Sequence, residues 1–212
     1  MNLKSYLYGF FKGISNDSSQ VAGTELNLPE SEFIVSQGSA SNNHIVILFS
    51  DGSSMSSGAN NKGQLGIGST SDIVEFKPVT SNEKFNGVSC GEDFTIWTSE
   101  SRCLYASGVN NYNTPTALNG IHAIRCSAYK NVACAITEKK TVLFWPDFHN
   151  IDQYKEYTLL NPALDISCGI DFVSVLLENQ TLFQIHSNGN IEPIIVQTSP
   201  EKTNDRFIRI SS

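Results

Sequence analysis

The sequence predicts an all-β fold built from repeated four-stranded units, a β-propeller or an arc of one. Three observations predict it. A short pattern of an apolar residue, a polar residue, Cys and a small residue recurs as Val88-Ser89-Cys90-Gly91, Ile124-Arg125-Cys126-Ser127 and Ile166-Ser167-Cys168-Gly169, with a weaker copy at Val35-Ser36-Gln37-Gly38 and a fragment at Ile208-Arg209-Ile210-Ser211. The copies are spaced by about 40–50 residues, the period of propeller blades, and no helical periodicity lies between them. Each copy is followed by the same succession of apolar run, polar turn and apolar run.

The elements follow in order. After the first copy, His44–Phe49 is rich in β-branched residues and reads as a strand. Asp51-Gly52 then predicts a hairpin through a primed turn, because both residues tolerate positive φ. The next hairpins turn at Glu100–Arg102, Glu138–Lys140 and Glu178–Gln180, between runs such as Phe94–Trp97 and Cys103–Ala106. Pro78, Pro115, Pro162 and Pro193 fall near the fourth, outer strand, where Pro removes no ladder donor. The chain divides into repeats at 31–84, 85–120, 121–162 and 163–206. Residues 1–30 form a partial blade, because Leu7-Tyr8-Gly9-Phe10 and Pro29 match Met55-Ser56-Ser57-Gly58 and Pro78. Residues 207–212 begin a further repeat. The ends together lack a second strand, so the expectation is an arc that another chain or further sequence completes.

One stretch is more specific. Ser57-Gly58-Ala59-Asn60-Asn61-Lys62-Gly63-Gln64-Leu65-Gly66 resembles the signature of the regulator of chromosome condensation family. The resemblance implies a propeller of four-stranded blades. It also implies structural roles for Gly58, Asn60, Gly63, Gln64, Leu65 and Gly66, and for Cys90, Gly91, Cys126, Cys168 and Gly169 in the recurrent pattern. The family usually has His four positions after the repeat Cys. Phe94, Lys130 and Phe172 stand there instead, and His44 lies near the equivalent site of the first copy after an insertion.

The loop does not read as a phosphate cradle. Lys62 precedes Gly63, no helix pattern follows and no βαβ unit surrounds it. The repeat cysteines sit at one place in successive units, which spreads them apart and does not cluster them as zinc ligands. Small apolar packing suits them better. Asp93 and Asp171 recur three residues after a Cys and suit a turn. No order of Ser, His, Asp or Cys proposes a nucleophilic site, so no catalytic, metal or cofactor residue is assigned. Trp145, Phe148, Tyr154 and Tyr157 mark a sticky loop and a candidate interaction surface.

Composition narrows the classes. The net charge is −7, which disfavours binding of nucleic acid or anionic membrane through the average field. Five cysteines, an odd number, fit free thiols inside the cell, cytoplasmic or nuclear. The reading expected is a non-enzymatic protein-interaction module or scaffold that presents blade loops to a protein partner. The resemblance adds one alternative, guanine nucleotide exchange on a Ran-like small GTPase; the incomplete ring adds another, a structural subunit of a larger assembly whose contacts replace the missing blades.

Overall fold

The computed structural model describes residues 6–7, 24–25 and 34–195. Among them every regular element is a strand. Tyr6–Leu7 (β1) and Thr24–Glu25 (β2) pair antiparallel as a sheet of their own. The rest of the partial first blade and the whole of 207–212 lie outside the described residues, and with them the expected fit of the two ends.

The first full blade is Val35–Ala40 (β3), His44–Phe49 (β4), Ser54–Gly58 (β5) and Ile73–Pro78 (β6), paired in sequence order. The second begins with Phe85–Cys90 (β7), Thr95–Ser99 (β8) and Cys103–Ser107 (β9). Its outer strand is the start of a long one, Thr116–Tyr129 (β10). The later part of β10 is the inner strand of the third blade, beside Val132–Thr137 (β11), Val142–Trp145 (β12) and Lys155–Tyr157 (β13). The division drawn at 120/121 therefore falls inside one strand. Gly120, at φ 80°, lies in the register shift between Ala117 and His122 where the strand passes from one blade to the next. Ala163–Cys168 (β14), Phe172–Leu177 (β15), Leu182–His186 (β16) and Ile191–Ile194 (β17) form the fourth blade. Pro193 sits in its outermost strand, where the missing N–H breaks no ladder bond.

The four hairpins turn at the residues the sequence indicates, but not by a primed two-residue turn. Of Asp51-Gly52 only Gly52 takes positive φ, at 80°. Gly52 N–H donates to Phe49 C=O and Phe49 N–H to Ser53 C=O. This is a three-residue loop, a tight turn followed by one left-handed residue. The other blades repeat it with Arg102, Lys140 and Gln180 in the left-handed position, at φ 62°, 64° and 71°. A non-glycine residue is tolerated there because the surrounding ladder holds it.

Register corrects the repeat alignment. Val88, Cys126 and Ile166 face Trp97, Ala135 and Val175, each three residues after the residue at which a register shift begins, and Gly38 faces Ile47 in the same way. Cys126 is thus equivalent to Val88, and Ala128 to Cys90 and Cys168. The repeating triplet is Gly38-Ser39-Ala40, Val88-Ser89-Cys90, Cys126-Ser127-Ala128 and Ile166-Ser167-Cys168. A bulge recurs just before it in every blade, between Val35 and Gln37, Phe85 and Gly87, Ala123 and Arg125, and Ala163 and Asp165. The bulge is common to all four blades and keeps them in phase; the sequence pattern slips in the third because Ile124-Arg125-Cys126-Ser127 imitates the repeat two positions early. Counted from Ala40, His44 occupies the family's His position with no insertion.

The core lies between blades rather than within them. Side chains alternate across each strand, so one strand feeds two interfaces. Val46, Leu48, Phe85, Val88 and Trp97 fill the first. Ile96, Leu104, Ala133, Leu143 and Trp145 fill the second. Cys134, Ile136, Phe144, Ile166 and Val175 fill the third.

The inner strands are also stitched together. Cys90 N–H donates to Ser39 Oγ at 3.0 Å, Ala128 N–H to Ser89 Oγ at 2.9 Å, and Cys168 N–H to Ser127 Oγ at 3.0 Å. One serine position thereby satisfies one backbone donor of the next blade each time. Removing the hydroxyl leaves that N–H without its partner, a loss of about 1–3 kcal/mol. Ser89→Ala and Ser127→Ala should each lower the urea midpoint accordingly with the slope unchanged. A midpoint equal to wild type in both would show that the stitch contributes nothing.

Candidate interaction surface

The connections β5–β6, β9–β10, β12–β13 and β16–β17 emerge at one end of the blades, together with the short links from each inner strand to the second. The signature stretch is the first of these connections. Asn60 is fully buried: its Oδ1 accepts from Leu65 N–H at 3.0 Å and its Nδ2 donates to Ser69 C=O at 2.8 Å. Gln64 Oε1 accepts from Lys62 N–H at 2.9 Å. These bonds close the loop on itself and turn Leu65 into the interior, where it has no exposure.

The loop is then clamped to the second blade. Gln64 C=O accepts from Thr95 Oγ1 at 2.8 Å and from Ser107 Oγ at 3.0 Å. His44 Nε2 lies 2.8 Å from the same Thr95 hydroxyl, and its Nδ1 2.9 Å from Ser41 Oγ. Burial lowers the His44 pKa from 6.5 to about 4, so the ring is neutral near pH 7 and extends this network. Gly66 packs on Pro115 and Trp97. Gly63, at φ 88°, lies so close to the second blade that a Cβ would meet Asn113 Cα at 2.7 Å. Gly58, which ends β5, lies against Asn43 and His44. Asn61 and Lys62 are exposed at the tip; the rest of the motif faces protein, with the polar groups of Asn60 and Gln64 turned inward.

The remaining sequence-derived residues separate. Cys90 and Cys168 are buried in inner strands, and Cys126 is partly buried two register positions away from theirs. Burial pushes the Cys90 and Cys126 thiols up to about 12, a setting for inert thiols. A Cβ on Gly91 or Gly169 would run into the ring of Phe94 or Phe172. The phenylalanines that replace the family's His thus need the glycine three residues earlier.

Trp145 and Phe148 do not belong to an interaction surface. Both have no exposure, Trp145 Nε1 donates to Ile151 C=O at 2.8 Å, and Phe148 stacks against Phe94 with ring centres 4.7 Å apart. They anchor the β12–β13 connection to the core. Of the four aromatics Tyr154 is exposed, at 42%, while Tyr157 is half-buried at the far end of β13, opposite Val142 and packed on the third interface. Ile170, in the link between β14 and β15, is 62% exposed on the same end of the blades.

A polar cluster absent from the sequence reading stands there too. His149 Nε2 is 2.9 Å from Asp93 Oδ1 in the second blade and its Nδ1 3.0 Å from Asp147 Oδ1. Partial burial alone would lower its pKa, but the bonds to Asp147 and Asp93 outweigh this and raise it above 6.5. Fifty-six positions separate His149 from Asp93, so no local pattern announces the pair. Among the described residues no group of three or more His, Cys, Asp and Glu is placed to hold a metal ion.

Two outcomes follow from this geometry. Gly63→Val should destabilise by about 1–3 kcal/mol, the strain of a β-branched residue held at positive φ, with the contact to Asn113 adding to it. A denaturant midpoint equal to wild type would detach the loop from the blade junction. His149, with its folded pKa raised, contributes stability that is fully present below 6.5 and is lost as pH rises through the raised value. His149→Gln should therefore flatten the fall in melting temperature as pH rises above 6.5, relative to wild type. Parallel curves for the two proteins would rule out the clamp.

Comparison with known proteins agrees with this architecture. The regulator of chromosome condensation (RCC1) repeat model matches residues 51–97. A search of curated proteins gives no significant match. Human WBSCR16 superposes with a TM-score of 0.68 at 17% identity, over 82% of this chain and 54% of that one. Yeast RCC1 (Prp20), solved bound to Kap60, gives 0.68 at 12% identity, over 86% and 52%. Prp20p of Saccharomyces cerevisiae, in a study of its binding to Gsp1p and histones, gives 0.62 at 11% identity, over 79% and 48%. The chain spans about half the length of these structures. It therefore carries a regulator of chromosome condensation repeat at residues 51–97, within β-propeller blades of the kind that family is built from.

Proposed function

We propose that the chain is a non-enzymatic protein-interaction module, which binds a partner protein through the loop end that carries Asp93, His149, Tyr154 and Ile170. One observation carries this reading. Strand register is the same from blade to blade, whereas the connections at that end, residues 59–72, 108–115, 146–154 and 187–190, differ in length and sequence. Variable loops on a rigid frame are how such scaffolds acquire specificity. The signature residues Gly58, Asn60, Gly63, Gln64, Leu65 and Gly66 serve the frame in this reading, as do Cys90, Gly91, Cys126, Cys168 and Gly169. The whole of 1–212 acts as one repeat domain. The odd cysteine count supports an intracellular setting, nuclear or cytoplasmic.

The test compares the two ends of the blades. Captures from cell extract with wild type, Tyr154→Ala/Ile170→Asp and Arg102→Ala/Lys140→Ala should recover a partner that only the first variant loses. Equal recovery by all three would defeat the reading. Guanine nucleotide exchange on a Ran-like small GTPase is a second reading, favoured by the superposition on Prp20p, whose study concerns binding to Gsp1p. Acceleration of nucleotide release at micromolar protein would support it, and an unchanged rate would remove it.

A further inference from the structure

The third interface between blades holds two thiols in contact. Cys134 on β11 and Cys168 on β14 bring their Sγ atoms to 3.0 Å, and both side chains have no exposure. This is closer than two sulfurs rest without a bond or a hydrogen between them. Their backbones are fixed at the same place. Cys134 pairs with Ser127 across the β10–β11 ladder. Cys168 donates its N–H to Ser127 Oγ at 3.0 Å and its Sγ–H to Ser127 C=O at 3.2 Å. Ser127 thus holds one cysteine within its own blade and the other in the next. A disulfide needs sulfurs about 2.05 Å apart, so closure brings the two sulfurs nearer by roughly one ångström.

We infer that Cys134 and Cys168 are a latent disulfide, a covalent staple between the third and fourth blades that closes under oxidising conditions. The chemistry is thiol–disulfide exchange with a small-molecule disulfide such as oxidised glutathione. One cysteine thiolate attacks the glutathione disulfide, forms a mixed disulfide and releases one reduced glutathione. The second cysteine thiolate attacks the protein sulfur of that mixed disulfide and releases the other. The two protein thiols lose two electrons and two protons overall, and oxidised glutathione becomes two reduced molecules. The pair has no exposure, so the exchange takes place while the blades are parted, during folding or transient opening. Its outcome is then set by which sulfurs the folded state brings together.

The test is equilibrium refolding of the full chain in a glutathione redox buffer, followed by alkylation of free thiols and peptide mass mapping without reduction. The expected product retains three of the five thiols and carries one cross-link, Cys134 to Cys168. Its melting midpoint should exceed that of the reduced protein by roughly 5–10 °C, and reduction should reverse the shift. Cys134→Ala and Cys168→Ala should each retain four free thiols and show no redox-dependent midpoint. Cys103→Ala, made as a control in a partly exposed strand position, should keep the cross-link and the shift. A native-like fold that keeps all five thiols at the oxidising end of the series would overturn the inference. So would a majority cross-link between any other pair, including one to Cys126.

Discussion

The structure depends on how one blade is joined to the next, and the carbonyl of Gln64 shows how. A four-stranded antiparallel sheet has two apolar faces and covers neither alone. The β5–β6 loop leaves the first blade and presents this carbonyl to Thr95 and Ser107 of the second. Burying an amide carbonyl without partners is costly; two hydroxyl donors and the neutral His44 behind one of them make the burial tolerable. The loop can then carry Leu65 into the interface and place Gly66 against Trp97. Packing density and polar satisfaction are met at the same place.

The later junctions solve the same problem with different residues. Apolar faces meet in three clusters, one for each pair of neighbouring blades, and a serine at a fixed register position satisfies a backbone donor across each. Ion pairs at the opposite end follow the same order: Lys84 with Asp51, Arg102 with Glu138, and Lys140 with Glu178. These are exposed and contribute little stability. They come from the turn positions and the link before β7 that bring neighbouring blades side by side, and they trace the arrangement rather than hold it. The buried hydrogen bonds and apolar contacts hold it.

This division of labour bears on function. The residues that look most distinctive in the chain, those of the Gly-Gln-Leu-Gly stretch, spend their polar groups on protein. The groups left facing outward at the loop end are of another kind: a histidine between two carboxylates, an exposed tyrosine and an exposed isoleucine. Asp147, His149 and Tyr154 lie on the β12–β13 connection, which differs from its counterparts in the other blades, while Asp93 and Ile170 stand beside it on the short links from inner to second strand. A rigid frame with unlike loops suits recognition of another macromolecule, whose surface is matched by several loops at once.

Much of the fold was legible in the sequence because it is local. Hairpins at Asp51-Gly52, Glu100–Arg102, Glu138–Lys140 and Glu178–Gln180 announce themselves by a polar turn between two apolar runs, and their recurrence at a common spacing names the architecture. The form of the turn was not legible, since a left-handed Arg102 or Lys140 is imposed by the ladder on either side and not by the residue's own preference. Register escaped for a related reason. Ile124-Arg125-Cys126-Ser127 imitates the repeat two positions early, so Cys126 matches Cys90 in sequence while Ala128 matches it in space, and only strand pairing tells the two apart. The aromatic loop around Trp145 and Phe148 is equally apolar whether it faces solvent or core, and only packing against Phe94 decides. The contacts between His149 and Asp93, and between Cys134 and Cys168, join residues many positions apart. The chain specifies its strands and turns by short-range preference; which side chains meet across a blade junction is set by the stacking of whole sheets, a property no stretch of sequence contains alone.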